Sequence, residues 1–314
     1  MDLIQLRYFL GVAEHGGFTK AAAALHIAQP AITRQIRLLE EDLGVQLLLR
    51  HSRGAELTDA GRRLVAGAEL IFRDMADVRA QVVASSEAVS GCLRIGFPPS
   101  VGDLLISKAV RTFRLRYPQV GFSLREGYSH ALRDDLLGDR LDVAVITGRE
   151  DNPLLIPTSL FAEQLWLLEL PGPRRRRKPG YALADLAGRS LVQPSRANTM
   201  RLLLEDLARQ AGIELSVVVE ADGIHTIKGL VAMGVGAHVS PYSAISRGIE
   251  SGEFAGGPIA GLMIERQLVR RADRSVSAAL LRFQEVLLEE LASAEASSQG
   301  AIRVHKEAAS LLPG

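Results

Sequence analysis

Ala28-Gln29-Pro30-Ala31-Ile32-Thr33-Arg34-Gln35-Ile36-Arg37-Leu38-Leu39-Glu40 is the stretch whose reading decides the architecture. Ile32, Ile36, Leu39 and Leu43 are spaced four, three and four apart, which sets them on one face of an α-helix and directs Gln29, Thr33, Arg34 and Arg37 elsewhere. Pro30 suits a first helical turn, where its missing N–H costs nothing, so the helix is predicted to begin at about Gln29 with a polar first turn facing outward. One face is core and the other is available.

On the N-terminal side of this stretch, Leu3, Leu6, Phe9, Leu10 and Ala13 recur at helical spacing, and Gly16-Gly17 closes that segment. Thr19 can cap a second helix, Lys20 to Leu25, and His26-Ile27-Ala28 makes a short turn into the helix at Pro30. Two short helices, a turn and a third helix form a helix-turn-helix pattern, which a small helical bundle without a ligand would also satisfy. Residues 47–57 favour nucleic acid. Leu47-Leu48-Leu49 and Ala55-Glu56-Leu57 flank Arg50-His51-Ser52-Arg53-Gly54, a two-stranded hairpin with a cationic tip, and such a wing can rest on phosphates or enter a minor groove. Residues 1–63 hold eight cations and seven acids, so the domain is not basic overall. Residues 26–37 and 50–53 nevertheless carry only positive charge, while Glu40, Glu41 and Asp42 lie at the far end of the helix, where they would repel phosphate and help fix which end enters DNA.

The chemistry of each side chain then suggests a role. Arg34 can pair with guanine O6 and N7, Gln29 with adenine N6 and N7, and Thr33 can touch a base or a thymine methyl. Arg50 and Arg53 would add salt-dependent phosphate affinity. Thr58 can cap the next helix, with Asp59 in its first turn. Leu64, Ala68, Ile71, Met75, Val78 and Val82 come after it with a period of 3.5 residues, a stripe that suits pairing with a second copy of the helix. Ser85 to Gly91 reads as a hinge.

From Cys92 strands alternate with helices. Strands are predicted over Leu93 to Phe97, Phe122 to Glu126 and Leu141 to Ile146, with helices near Gly102 to Tyr117 and Ala131 to Gly138. A second set covers Ser190 to Gln193, Ser216 to Glu220 and Val235 to Ser240, with helices near Thr199 to Gln210 and Ile224 to Met233. Two βαβαβ units imply two mostly parallel sheets, one in each lobe. Gln164 to Leu170 and Leu262 to Val269 would carry the chain between the lobes, a helix from Val276 to Leu291 would pack on the first, and 293–314 would be weakly ordered. The fold class is therefore α/β multidomain. Residues 1–58 form a winged helix-turn-helix, 59–90 a linker helix and hinge, 91–163 with 267–292 a first lobe, and 164–266 a second.

At 314 residues the chain exceeds one typical core, and 47% apolar with 23% charged residues is the balance of a folded protein. No run of about 18 apolar residues exists to span a bilayer and the N-terminus is amphipathic, so a cytoplasmic protein with no membrane partner is expected. Cys92 is the only cysteine, which excludes an intrachain disulfide or a multi-cysteine zinc site, and its strand pattern predicts a buried thiol. The run Arg174-Arg175-Arg176-Arg177-Lys178 reads as a solvated loop.

In open α/β sheets ligands sit at the carboxyl ends of the strands, here in a cleft between lobes. The segments ending there include Pro98-Pro99-Ser100, Gly127 to His130, Thr147-Gly148-Arg149 and Pro194 to Thr199, several of which open helices and so bring hydroxyls and free N–H groups together. A small carboxylate or other anion held by Ser100, Thr147, Ser195, Asn198 and Thr199 is the expectation; each is also an ordinary helix-cap residue. His130 and His225 are secondary candidates. An enzyme is disfavoured, since no G-x-S-x-G elbow, H-E-x-x-H, P-loop or CxxC pair occurs, so no catalytic residue, metal or cofactor is assigned. A regulator whose lobes bind a protein partner remains an alternative; a solute-binding protein fits neither the N-terminal 60 residues nor the missing signal peptide.

Within residues 3–64, the run from Leu6 to Leu64, LRYFLGVAEHGGFTKAAAALHIAQPAITRQIRLLEEDLGVQLLLRHSRGAELTDAGRRL, matches the N-terminal pattern of LysR-type transcriptional regulators almost throughout, and the chain resembles that family. The later half, with Gly-Val-Gly at 234–236, resembles in layout the family's two-lobed effector domain, which is akin to periplasmic binding proteins. The resemblance implies a winged helix-turn-helix, a dimerising linker helix and commonly a tetramer. It also implies double-stranded DNA with an interrupted inverted repeat as target, and a small effector that changes DNA bending or RNA polymerase contact. By matching positions, Gln29, Pro30, Thr33 and Arg34 would meet DNA from the helix and Arg53 from the wing. The family often has Ser where this chain has Ala28 and Thr33, of which Thr33 keeps the hydroxyl.

Overall fold

The computed structural model describes residues 1–51, 54–83, 89–171 and 180–311, which form two compact units divided after Val83. Arg53, the basic run at 174–178, hinge residues 84–88 and the side chain of Val82 lie outside the described residues.

In the first unit α1 (Leu3–His15) begins at a capping box, in which Asp2 Oδ1 accepts from Gln5 N at 2.8 Å and Gln5 Oε1 accepts from Asp2 N at 3.0 Å. Next, α2 (Phe18–Leu25) starts two residues before the expected point. Gly17 is its N-cap and Thr19 lies inside the helix, so Thr19 does not cap it. The third helix, α3 (Gln29–Leu43), starts where Pro30 predicts, and Ile32, Ile36 and Leu39 are fully buried against Phe9, Val12 and Ala21. Leu43 departs from that stripe and is exposed: the last helical turn outruns the core.

The wing forms as a hairpin of β1 (Leu48–His51) and β2 (Gly54–Leu57), with Leu48 opposite Leu57 and His51 opposite Gly54. Its stem lies against the turn after α1. Ala55 N donates to Gly16 O at 3.1 Å, and a Cβ on Gly54, which holds φ 147°, would come within 2.2 Å of that same oxygen. From α4 (Asp59–Val83), Gly61 N donates to Thr58 Oγ1 at 3.0 Å, the cap expected of Thr58. Ala68 is fully buried and so is not free for a second copy, while Leu64 is half-buried against this unit's own core. The exposed part of the stripe is Ile71, Met75 and Val78.

The second unit opens with β3 (Gly91–Phe97), α5 (Pro99–Val101), a π-helical turn (Gly102–Ile106) and α6 (Ser107–Arg116), then β4 (Val120–Glu126), α7 (Ser129–Leu137) and β5 (Val143–Thr147). The long strand β6 (Leu155–Glu169) leads to β7 (Ser190–Gln193), α8 (Thr199–Gln210), β8 (Ser216–Glu220), α9 (Ile224–Ala232), β9 (His238–Pro241) and α10 (Tyr242–Glu250). β10 (Ala255–Arg271) returns, and α11 (Ala278–Ser297), β11 (Ile302–Val304) and a 3-10 helix (Lys306–Leu311) follow. One seven-stranded sheet has the order β11-β6-β10-β5-β3-β4 with β9 added beside β6, parallel at β3–β4 and β3–β5 and antiparallel at β5–β10 and β10–β6.

Three expectations change. The second lobe does not hold three parallel strands in one sheet: β7 and β8 pair in parallel, but β9 bonds antiparallel to β6 and joins β7 only through a bridge at Leu191 and Ala237. Residues 293–311 are built in. The helix runs on to Ser297, β11 pairs with β6, and Ala294, Ala301, Ile302 and Ala308 are buried in the first lobe's core. Cys92 is exposed rather than buried, because β3 goes inward only from Leu93 onward.

Candidate nucleic-acid interface and ligand cleft

The turn before α3 is tight: His26 adopts φ 55° and its N–H donates toward Ala22 O and Ala23 O. Gln29, Pro30, Arg34 and Arg37 are exposed along α3, and no acid sits in its first turn. Arg34 has no ion pair among the described residues, whereas Arg37 Nε donates to Glu41 Oε1 at 2.8 Å. Thr33 is half-buried with Oγ1 turned inward and unpartnered, so the hydroxyl expected to meet a base is not the group it presents. Arg50 lies on β1 with its guanidinium 4.6 Å from the ring centre of Phe18.

The acids at the end of α3 act within the fold. Glu40 Oε1 accepts from Leu47 N at 2.8 Å and Leu48 N at 3.2 Å, pinning the start of the wing, and Asp42 pairs with the amino terminus at 2.7 Å. Glu40 thus has a structural role in addition to the repulsion of phosphate expected of the three acids, and Glu41 and Asp42 keep their side chains about half exposed.

Ala28 is the N-cap of α3 in extended backbone with no side-chain cap, and little is left for one to hold: Pro30 has no N–H and Ala31 N donates to Ala28 O at 2.9 Å. Ala28→Ser should therefore change the stability of the free protein by less than about 0.5 kcal/mol, well short of an ordinary cap. Thermal unfolding of the full chain checks this as a transition midpoint that stays in place.

Between the lobes of the second unit lies a cleft of about 70 Å³, open to solvent on one side and walled by Pro98, Met200, Ile224, Ile227 and Pro241. Its floor is a buried ion pair that sequence reasoning did not find. Arg266 on β10 and Glu163 on β6 are both essentially inaccessible, with Nε to Oε1 at 2.6 Å and Nη2 to Oε1 at 2.5 Å. Glu163 opposes Ile264, two residues from Arg266, so the charges meet diagonally across the antiparallel pair. Ser243 N donates to Glu163 Oε2 at 3.0 Å. Arg266 also donates through Nη2 to Ser100 Oγ at 2.9 Å and through Nη1 to Thr147 Oγ1. Both hydroxyl oxygens thus accept from a guanidinium, and each O–H is left to donate into the cleft.

Of the five residues expected to hold effector, Ser100, Thr147, Asn198 and Thr199 line the cleft and Ser195 does not. The Ser195 N–H instead donates to Asp222 Oδ1 at 2.9 Å, and that bond is the main cause holding the Asp222 carboxyl below the ordinary carboxylate range. Asn198 also caps α8, accepting from Met200 N at 2.9 Å. Tyr128, leading into α7, reaches across to the second lobe and donates to Asp222 O at 2.8 Å. Burial first, then Asp222, pushes the phenol up to about 12, so it remains a donor. Neither His130 nor His225 lines the cleft; His238 does.

A helix-turn-helix with a wing, joined in one chain to a two-lobed α/β unit, has known counterparts. The family description "Bacterial regulatory helix-turn-helix protein, lysR family" matches residues 3–62, and "LysR substrate binding domain" matches residues 86–292. A hydrogen peroxide-inducible genes activator of Pectobacterium carotovorum is 31% identical over 250 residues, which is 79% of this chain and 82% of that protein. The nitrogen assimilation regulatory protein nac of Klebsiella aerogenes is 31% identical over 245 residues, 78% of this chain and 79% of its own. The solved structure of full-length CbnR complexed with its target DNA superposes with a TM-score of 0.70 at 25% identity, covering 92% of this chain and all of that one. Together the two matched regions take in nearly everything from Leu3 to the middle of α11, and the chain belongs to the LysR family of DNA-binding transcriptional regulators.

Proposed function

We propose that this regulator responds to a small anionic metabolite, most simply a carboxylate, bound between its lobes, and reads an interrupted inverted repeat in double-stranded DNA. The observation that carries the ligand class is the Arg266 guanidinium beneath the cleft, which occupies the acceptor side of the Ser100 and Thr147 hydroxyls and leaves both as donors. A carboxylate accepts from both. The cleft is not filled by side chains, which favours a metabolite over a protein partner as its occupant. In this reading the site residues bind and none catalyses, and neither metal nor cofactor is needed.

On the DNA side, Gln29, Pro30, Arg34 and Thr33, the last through its methyl rather than its inward hydroxyl, meet the major groove, Arg37 and Arg50 add phosphate affinity, and the family resemblance gives Arg53 a DNA contact as well. Two copies are joined along the exposed Ile71, Met75 and Val78 of α4, as a dimer or within a tetramer, with RNA polymerase as the partner on the promoter. Such a protein works in the cytoplasm, where the DNA is. A peroxide response through an intrachain disulfide would need two cysteines, and the chain has one.

Thermal unfolding of the full chain against a panel of small acids and matched neutral compounds tests the ligand class. Acids should raise the transition midpoint. A panel in which neutral compounds stabilise and no acid does would reject it.

A further inference from the structure

One strand of the second lobe adds a polar pair to the cleft that the anion site does not use. Val239 on β9 points into the core of the second lobe, and the flanking residues His238 and Ser240 take the other face and line the cleft. Ser240 is wholly buried, and its Oγ has no hydrogen-bond partner. An orphaned buried hydroxyl is costly in a folded protein unless something else completes it.

His238 is 2% exposed, and its Nδ1 lies 2.9 Å from Val192 O. A carbonyl can only accept, so Nδ1 carries the proton and Nε2 keeps its lone pair. Burial drives the imidazole pKa down to about 4 against the opposing Val192 hydrogen bond, so the ring stays neutral at ordinary pH. The second lobe therefore supplies an acceptor and a hydroxyl, complementary to the two donors at Ser100 and Thr147.

We infer that the His238–Ser240 pair is a specificity subsite for a ligand hydroxyl, so that the effector is a hydroxycarboxylate with an apolar body. This rests on the carboxylate reading of the same cleft and goes further by naming the second functional group. The ligand O–H donates to His238 Nε2 and its oxygen accepts from Ser240 Oγ–H, while Pro98, Met200, Ile224, Ile227 and Pro241 cover the carbon skeleton. A second carboxylate in that place would face the Nε2 lone pair and is selected against.

Isothermal titration of the full chain with matched acids tests this: benzoate, 3- and 4-hydroxybenzoate, isophthalate and terephthalate, and hexanoate, 6-hydroxyhexanoate and adipate. In at least one series the hydroxy acid should bind about tenfold tighter than its parent, and the diacid more weakly than the parent. Ser240→Ala should abolish most of that advantage while leaving parent-acid affinity and the thermal midpoint unchanged or raised, because the hydroxyl it removes has no partner in the free protein. His238→Phe should do the same to the advantage; if that variant does not fold, Ser240→Ala carries the test alone. Parent acids that bind with no gain from a hydroxyl, diacids that bind tightest, or an advantage that survives Ser240→Ala would overturn the subsite and leave the anion site standing. Absence of binding by every acid would overturn both.

Discussion

Arg266→Ala should cost the effector unit about 3–5 kcal/mol, enough to leave it poorly folded at physiological temperature. The reason is asymmetry. With Arg266 present, Glu163 is a fully buried carboxylate held by a guanidinium on one oxygen and by Ser243 N on the other. Without it, an uncompensated charge remains in the interior with one backbone donor. Replacing both partners together, Arg266→Met with Glu163→Leu, removes the charge as well as its counter-ion and should recover most of the stability. The double variant should still fail to respond to acids, since Ser100 and Thr147 lose the group that orients their hydroxyls. Urea unfolding of the two variants measures the first effect. A loss below about 1 kcal/mol for Arg266→Ala would show that the pair does not hold the cleft floor.

Arg34→Ala should weaken operator binding by about 1–3 kcal/mol, a factor of roughly 5 to 150, while changing affinity for random DNA much less. Arg34 is exposed on α3 and has no ion pair among the described residues, so its guanidinium is available to a guanine edge. Arg50→Ala is the contrasting case, because a phosphate contact contributes to every sequence: it should lower both affinities alike and flatten the salt dependence by about one unit of slope. Electrophoretic mobility shifts on operator and scrambled duplexes at two salt concentrations separate the two. Equal weakening of both duplexes by Arg34→Ala would remove that residue from base recognition.

The N-terminal elements were readable because their signals are local. Pro30 marks the start of α3, Ile32, Ile36 and Leu39 mark its inner face, and Thr58 marks the start of α4. Failures there came from short-range competition, as when Gly17 rather than Thr19 opened α2. In the second unit α8 runs over its predicted span of Thr199–Gln210, but α10 went unread because Ser243, Ser246 and Gly248 dilute the helical stripe of Tyr242, Ile245 and Ile249. The C-terminal segment was hidden in the same way, its buried positions being mostly alanine.

The cleft was half legible. Strand ends located Ser100, Thr147, Asn198 and Thr199, yet nothing local distinguishes Ser195, whose N–H turns to Asp222. Arg266 and Glu163 are 103 residues apart, and only the antiparallel register of β6 and β10 joins them. A signal did exist. Arg266 shares a strand face with Ile264 and Leu268, and Glu163 with Phe161 and Leu165, so each is a charge on an otherwise apolar face. His238 and Ser240 carried no comparable mark, because alternation around Val239 is equally that of a half-exposed strand.

Footprinting the full chain on DNA upstream of its own gene, with and without a stabilising hydroxy acid, tests most directly that ligand in the cleft governs reading by α3. Two protected half-sites whose span or intensity changes with the acid, and a Thr147→Val variant that protects the same half-sites without that change, are the result expected. Protection that ignores sequence, or an acid response that Thr147→Val retains in full, would contradict it.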